Sequence, residues 1–464
     1  MYLNPKTHLA YKLLHEGTLA FARAEKAGIR VDLDYIERKK ALIQRKIQRY
    51  EEQFKQSDFY KHWQHSSRGK VNINSGSQLK HFLYNVKKIE PIKTTASGEG
   101  STDEESLRQL NIPELNLLLE KTRYKKPWDV LNGFEQEQVD EYIHPFFNLN
   151  LVRTFRSSSD SPNFQNIPKR DEEIMQLCRG ALYPRPGHQL LEIDFGSLEV
   201  RIAACYHKDS TMLKYINDPK SDMHADMAKQ IFIIDKIDKS NPAYNTLRQA
   251  AKNGFVFPEF YGDYYKNCAT IMSQGWGKLP AGKWSRGQGI PLDTDAFTLS
   301  DHLIAKGINS YKLFEEHVKK IEKDFWHVRF SEYDSWKDRW WRVYQKYGYI
   351  DLLTGFRCSG IMGKNDCINY PVQGAAFHCL LYTFIELDKV MIKDNWDSRL
   401  IGQIHDSVII DVNPKELDMV IQTAERIATK QLPDEWKWII VQLEIDMEIC
   451  DIDKAWAEKS KLKR

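Results

Sequence analysis

The chain has 464 residues, 42% of them apolar and 28% charged, which suffices for two or three lobes that bury cores of their own. Its 67 Lys and Arg nearly balance 64 Asp and Glu, so any affinity for nucleic acid has to come from how the basic residues are distributed. The seven cysteines are scattered without a C-x-x-C pair, no apolar run reaches membrane-spanning length, and residues 1–30 lack a signal-peptide core. This argues against a zinc module, a disulfide framework and a membrane protein, and leads to the expectation of a soluble, cytoplasmic chain with reduced thiols.

Residues 7–27 read as a helix with one packed apolar face. From 36 to 54, Ile36, Ile43, Ile47, Tyr50 and Phe54 recur at helical spacing between Arg and Lys, giving an amphipathic helix. Its basic face is either ordinary solvated surface or an element that lies along a duplex. The polar stretches 65–76 and 94–103 read as loops, with Thr102 or Asp103 capping the next helix. Residues 148–170 are polar and turn-rich, and are expected to add little to the core. LLEIDFGSLEVR at 190–201 reads as a strand entering a helix, and 206–350 as mainly helical around a Gly/Pro/Lys-rich stretch at 275–291. LIGQIHDSVIIDV at 400–412 is again strand-like, and VQLEIDMEI at 441–449 alternates as a half-buried strand does. Glu444, Asp446 and Glu448 share the polar face of that last strand and are read as solvated surface ahead of metal ligation. Strands near 189–195, 400–412 and 439–450 suggest a small antiparallel sheet fed by distant parts of the chain.

Asp194 and Asp406 each fall at a strand end or hairpin tip. One such aspartate alone is a cap or turn residue. Two carboxylates on neighbouring strands, beside a basic helix, have the chemistry to hold two divalent metals against a nucleoside triphosphate. Arg248 and Lys252 lie four apart and therefore share a helix face.

Five motifs in order resemble the family A DNA polymerases, the group of DNA polymerase I and its phage relatives. Asp194-Phe195-Gly196-Ser197-Leu198-Glu199-Val200-Arg201 is similar to the family's D-Y-S-Q-I-E-L-R. Thr154, Arg156, Ser157 and Ser158, then Pro162-Asn163-Phe164-Gln165-Asn166-Ile167-Pro168, resemble its T-G-R-L-S-S-x-x-P-N-L-Q-N-I-P. Arg248, Lys252, Phe257, Tyr261 and Gly262 resemble R-x-x-x-K followed by an aromatic and Y-G. Asn369-Tyr370-Pro371-Val372-Gln373-Gly374 resembles N-A-P-M-Q-G, and His405-Asp406 stands in the place of H-D-E. The resemblance covers about 140–464, and more faintly 1–130, where VNINSGSQL at 71–79 is similar to F-N-L-N-S-x-x-Q-L.

The resemblance implies an α+β right-hand polymerase with an antiparallel palm sheet, helical fingers and a helical thumb. Residues 1–30 would be a helix packed on the palm, 31–130 the thumb, 131–205 and 351–464 the palm, and 206–350 the fingers. It implies primer extension from dNTPs on primer–template DNA with two Mg²⁺ ions, for which Mn²⁺ would substitute. Asp194 and Asp406 would be the catalytic metal ligands, helped by the Phe195 carbonyl. Arg248, Lys252, His224 and Arg170 would meet the triphosphate, Phe257 would stack on the incoming base, and Glu199 with Tyr261 would crowd the sugar 2′ position. Arg156, Asn163, Gln165, Asn369, Gln373 and His405 would follow the minor groove and primer terminus. No exonuclease precedes the thumb-like part, so proofreading is expected to be absent unless a separate exonuclease supplies it. A compact phage-type enzyme is expected, with a helicase or processivity factor as a further partner.

Three departures stand out. Ser407 replaces the family's acidic residue, which leaves two carboxylates for the metals. Phe257 lies five residues after Lys252 rather than four, an extra residue that a helix bulge would absorb, and Phe255 is its rival as the stacking aromatic. Phe155 replaces a family glycine and is expected to need a different backbone beside Arg156. Two other readings stay open: a single-subunit phage-type RNA polymerase, whose motif also reads H-D-S, and a primer–template binding protein without catalysis.

Overall fold

The computed structural model describes residues 5–92, 94–95, 98–169, 171–218, 220–237, 240–273, 298–404 and 406–462. Arg170, His405 and the 275–291 stretch lie outside the described residues.

The strand Gln189–Phe195 is the middle of a five-stranded sheet, and its apolar residues explain why. Leu190, Leu191 and Ile193 are all but completely buried, as are Val408, Ile409, Ile410 and Val412 on the neighbouring strand Ser407–Val412. Such burial on both faces is what an interior strand requires. The sheet order is Ser460–Lys461, Ile445–Ile449, Gln189–Phe195, Ser407–Val412, Arg399–Ile404, with each described pairing antiparallel. The register sets Ser407 opposite Asp194 on one side and Asp446 opposite Asp194 on the other. The expected sheet thus forms from three distant segments, but its last long strand starts at Ile445 rather than near 439. The Gln442 carbonyl accepts a hydrogen bond from Arg201 and the Glu444 carbonyl one from the Gly196 amide, so this stretch bonds the turn after the central strand instead of extending the ladder.

Beneath the sheet runs the helix Lys364–Lys393, and Pro5–Ala27 packs on it, with Phe21 meeting Phe384 edge-on at 4.9 Å. A Cβ at Gly374 would stand 2.4 Å from the Thr154 carbonyl, so only glycine lets this helix approach the 154 segment. The polar segment 148–170 contributes more to the core than its composition suggests. Its turns fold Phe164 inward until it is 1% exposed and stacked on Trp456, and Leu149 and Ile167 are buried beside it.

A second core lies apart from the first. The helices Leu33–Gln56 and Pro113–Glu137 pack together, and Phe54, Trp63, Phe82 and Leu115 close a separate cluster at their end. Asp103, not Thr102, caps Glu104–Gln109 by accepting from the Ser106 amide at 2.7 Å. Between the sheet's first and second contributions the described chain is nearly all helical and closes on an aromatic cluster that includes Phe325, Phe330, Tyr333 and Trp336. The seven cysteines are free and buried, and none of the described helices is long and apolar enough to cross a membrane.

Candidate active site

The central strand ends at the acidic pair. The Phe195 amide donates to the Asp406 carbonyl at 3.2 Å, which fixes the hairpin tip against the strand end and brings the two aspartates side by side. Burial, with Asp406 and Glu192 nearby, raises the Asp194 carboxyl above its ordinary value, and Lys169 and the Ser407 hydroxyl oppose this only in part. Ser407 Oγ lies 2.9 Å from Asp194 Oδ1. Half-buried oxygen donors with surplus negative charge have the chemistry that suits a hard divalent cation. Among the described residues no third His, Cys, Asp or Glu completes a ligand group with them. Glu444, Asp446 and Glu448 are instead paired with Arg201, Lys461 and Lys459.

A second group converges from the helical lobe. The helix Pro242–Ala251 carries Arg248, whose Nε donates to Asp222 at 2.8 Å, and Asp222 also caps Met223–Phe232, the helix of His224. Lys252 starts a single π-helical turn, Lys252–Val256, and its Nζ lies 5.1 Å from the Phe257 ring centre. The extra residue is therefore absorbed as a π-bulge. Phe257 meets His224 edge-on at 5.6 Å, whereas Phe255 is fully buried against Phe325. Burial, then Lys252 and Arg248, depress the His224 imidazole to about 4, and its buried Nδ1 has no hydrogen-bond partner among the described residues. At neutral pH it is an uncharged group beside two cations.

A cavity of about 200 Å³ is lined by Asp406 of the first group and Phe257 of the second, with Glu199, Tyr261, Asn369 and Gln373 among others; Asp194, Arg248, Lys252 and His224 are not among its lining residues. Tyr261 Oη donates to Glu199 at 2.5 Å, and Arg156 is ion-paired with the same carboxylate. Asn369 Nδ2 reaches the Tyr261 carbonyl at 3.4 Å. Farther from the cavity, Gln165 is bonded to Ser157 and Gln403, and Asn163 caps the short turn Phe164–Asn166.

Residues 34–273, a little over half of the chain, match the family described as DNA polymerase family A. The chain belongs to that family. DNA polymerase I of Caldicellulosiruptor bescii is 26% identical over 87% of this chain and 42% of its own length, and that of Aquifex aeolicus 25% identical over 90% and 64%. The chain thus spans less than two thirds of either relative. Among solved structures, the POL domain of Pol1 from M. smegmatis, in complex with DNA primer-template and dNTP, superposes with a TM-score of 0.71 over 96% of this chain and 70% of that one, at 21% identity. The fold is accordingly the right-hand polymerase fold, with an antiparallel palm sheet and helical fingers and thumb.

In this family A chain Phe155 holds φ +60°, the left-handed conformation that glycine adopts at little cost. Its ring packs on Phe356 with centres 4.9 Å apart, a contact that offsets the strain. The motifs also passed over residues that the fold brings in. Asp222, which the motifs did not single out, caps the helix of His224 and orients Arg248. Glu192, buried beside Ser407, carries a charge inside an apolar strand, which is the one signal the sequence offered.

Proposed function

We propose that the chain is a template-directed DNA polymerase that adds dNTPs to a primer 3′ end by nucleotidyl transfer. The observation that carries this reading is the single cavity in which Asp406, Glu199, Tyr261, Phe257, Asn369 and Gln373 meet from distant segments, with Ser407, the residue after Asp406, paired opposite Asp194 across the ladder. Asp194 and Asp406, with the Phe195 carbonyl, would hold two Mg²⁺ ions. When bound, the ions supply activation of the 3′-hydroxyl and neutralise charge on the leaving pyrophosphate. Arg248, kept on target by Asp222, and Lys252 balance the triphosphate charge, and neutral His224 offers a hydrogen bond. Phe257 supplies the surface for the incoming base. Phe255 is withdrawn into the core and is unsuited to that role. The Glu199–Tyr261 pair closes the space a 2′-hydroxyl would need.

The domain assignment follows the same reading: thumb from 31–130, fingers from 206–350 and palm from the rest. Between the thumb helices and the palm lies a cleft of about 1300 Å³ bordered by Lys125, Lys126 and Lys169, suited to a primer–template duplex. The reading is tested by extending one labelled primer–template with four dNTPs or four rNTPs, in Mg²⁺ and in excess EDTA. Extension by dNTPs alone, abolished by EDTA, is expected. Extension by rNTPs would favour RNA synthesis, to which Ser407 points, and no extension with either would leave a binding protein.

A further inference from the structure

Glu192 stands two residues before Asp194, on the same face of the central strand, and is 3% exposed. Its two oxygens have separate partners. Oε2 accepts from Trp456 Nε1 at 3.0 Å, is ion-paired with Lys459, and lies 3.5 Å from Arg179 Nη1. Oε1 lies 3.1 Å from Ser407 Oγ, and that hydroxyl is 2.9 Å from Asp194 Oδ1. Arg179 is itself 1% exposed and lies over the Trp456 ring at 3.9 Å, so the cationic pocket is rigid. Turning Glu192 away would take the nearest carboxylate from the buried Arg179, which fixes its orientation. The carboxylate therefore touches Asp194 only through one hydroxyl, and it holds that hydroxyl in place.

We propose that Glu192 and Ser407 form a positioning pair that replaces, from the neighbouring strand, the acidic residue the family carries at the Ser407 position. This rests on the polymerase reading for its purpose. Ser407 faces Asp194 across the ladder and Glu192 is displaced by two residues along the same face, so a carboxyl group rooted at either 192 or 407 reaches the Trp456–Lys459–Arg179 pocket. Neither residue is a metal ligand. Together they set the direction of the Asp194 carboxylate, as groups bonded to a metal ligand do elsewhere, where their loss costs about 10–100-fold in metal affinity.

The test is Mn²⁺ binding to the full chain, followed by electron paramagnetic resonance, with a thermal melt of each variant. Ser407→Ala should bind Mn²⁺ about tenfold more weakly with little change in melting temperature, because the hydroxyl is lost while the Glu192 clamp remains. Ser407→Glu should bind poorly and melt lower, since two carboxylates then compete for one cationic pocket. The exchange variant Glu192→Ser/Ser407→Glu should recover both properties to within about threefold of the wild-type affinity. Unchanged Mn²⁺ binding in Ser407→Ala would overturn the proposal, as would an exchange variant no better than Ser407→Glu, or no Mn²⁺ binding by the wild type. A wild-type chain that binds Mn²⁺ in this manner but never extends a primer would sink the polymerase reading and leave the pair intact.

Discussion

Glu199 has two partners in the cavity, the Tyr261 hydroxyl and the Arg156 guanidinium, and removing it alters both. Glu199→Ala opens the space beside the sugar and frees Tyr261, so discrimination between dCTP and CTP in single-nucleotide incorporation should fall by about tenfold or more, with a smaller loss of dCTP turnover. Unchanged discrimination would remove Glu199 from the sugar gate. A different residue sets a pH dependence. Burial pushes Glu259 up to about 8, with Glu322 adding to the shift, while Trp326 Nε1 donates to it at 2.8 Å. The folded state thus holds a proton that the unfolded chain releases near pH 4.5. Its contribution to stability is full below that point and is lost as pH rises towards 8. Glu259→Gln keeps an acceptor for Trp326 without the charge, so its melting temperature should overtake that of the wild type by a few degrees between pH 5 and 8.5. Parallel melting curves across that range would refute the assignment. Glu259 was invisible in the sequence, where a glutamate between Phe257 and Tyr261 looks like an exposed helix charge.

The π-turn Lys252–Val256 shows what local reading can and cannot reach. The spacing of Lys252 and Phe257 revealed one residue too many, and helix geometry allows few ways to store it. The choice between Phe255 and Phe257 was different, because both are aromatic and within one turn of each other. Only packing against Phe325 separates the buried ring from the one lining the cavity. The same limit applies to the strand at Ile445, where the alternation is genuine but Arg201 takes the Gln442 carbonyl. Motif order and buried strands were legible because they repeat over many residues. Single pairings between distant parts of the chain were not. Deleting exposed Asn253 should convert the π-turn to regular helix and rotate the preceding Arg248 and Lys252 about 100° relative to Phe257 and Tyr261. The KM for dNTP should rise by about tenfold or more, because the cations would turn away from the base platform. The far-ultraviolet circular dichroism should stay near that of the wild type, and an unaltered KM would show that the bulge has no part in aligning them.

At the scale of the whole molecule, a net charge of +3 leaves no general attraction for a polyanion, so grip has to come from how charges are sorted. In the cleft most of the carboxylates are already engaged. Glu51 pairs with Lys121, Glu104 with Arg108, and Asp171 with Arg123, whose guanidinium also meets Glu173. Lys126, on the helix Pro113–Glu137, and Lys169, on the segment leading to the sheet, both line the cleft and are exposed. A duplex seated in the cleft would release counterions at both. Removing one phosphate-binding cation should then lower the slope of log affinity against log salt by about 0.9. Lys126→Ala and Lys169→Ala should each reduce the slope for primer–template binding by that amount, about 1.8 together, with similar reductions on unrelated sequences. A slope that responds to one lysine and not the other, measured by fluorescence anisotropy between about 50 and 200 mM salt, would place the duplex along a single lobe instead of in the cleft.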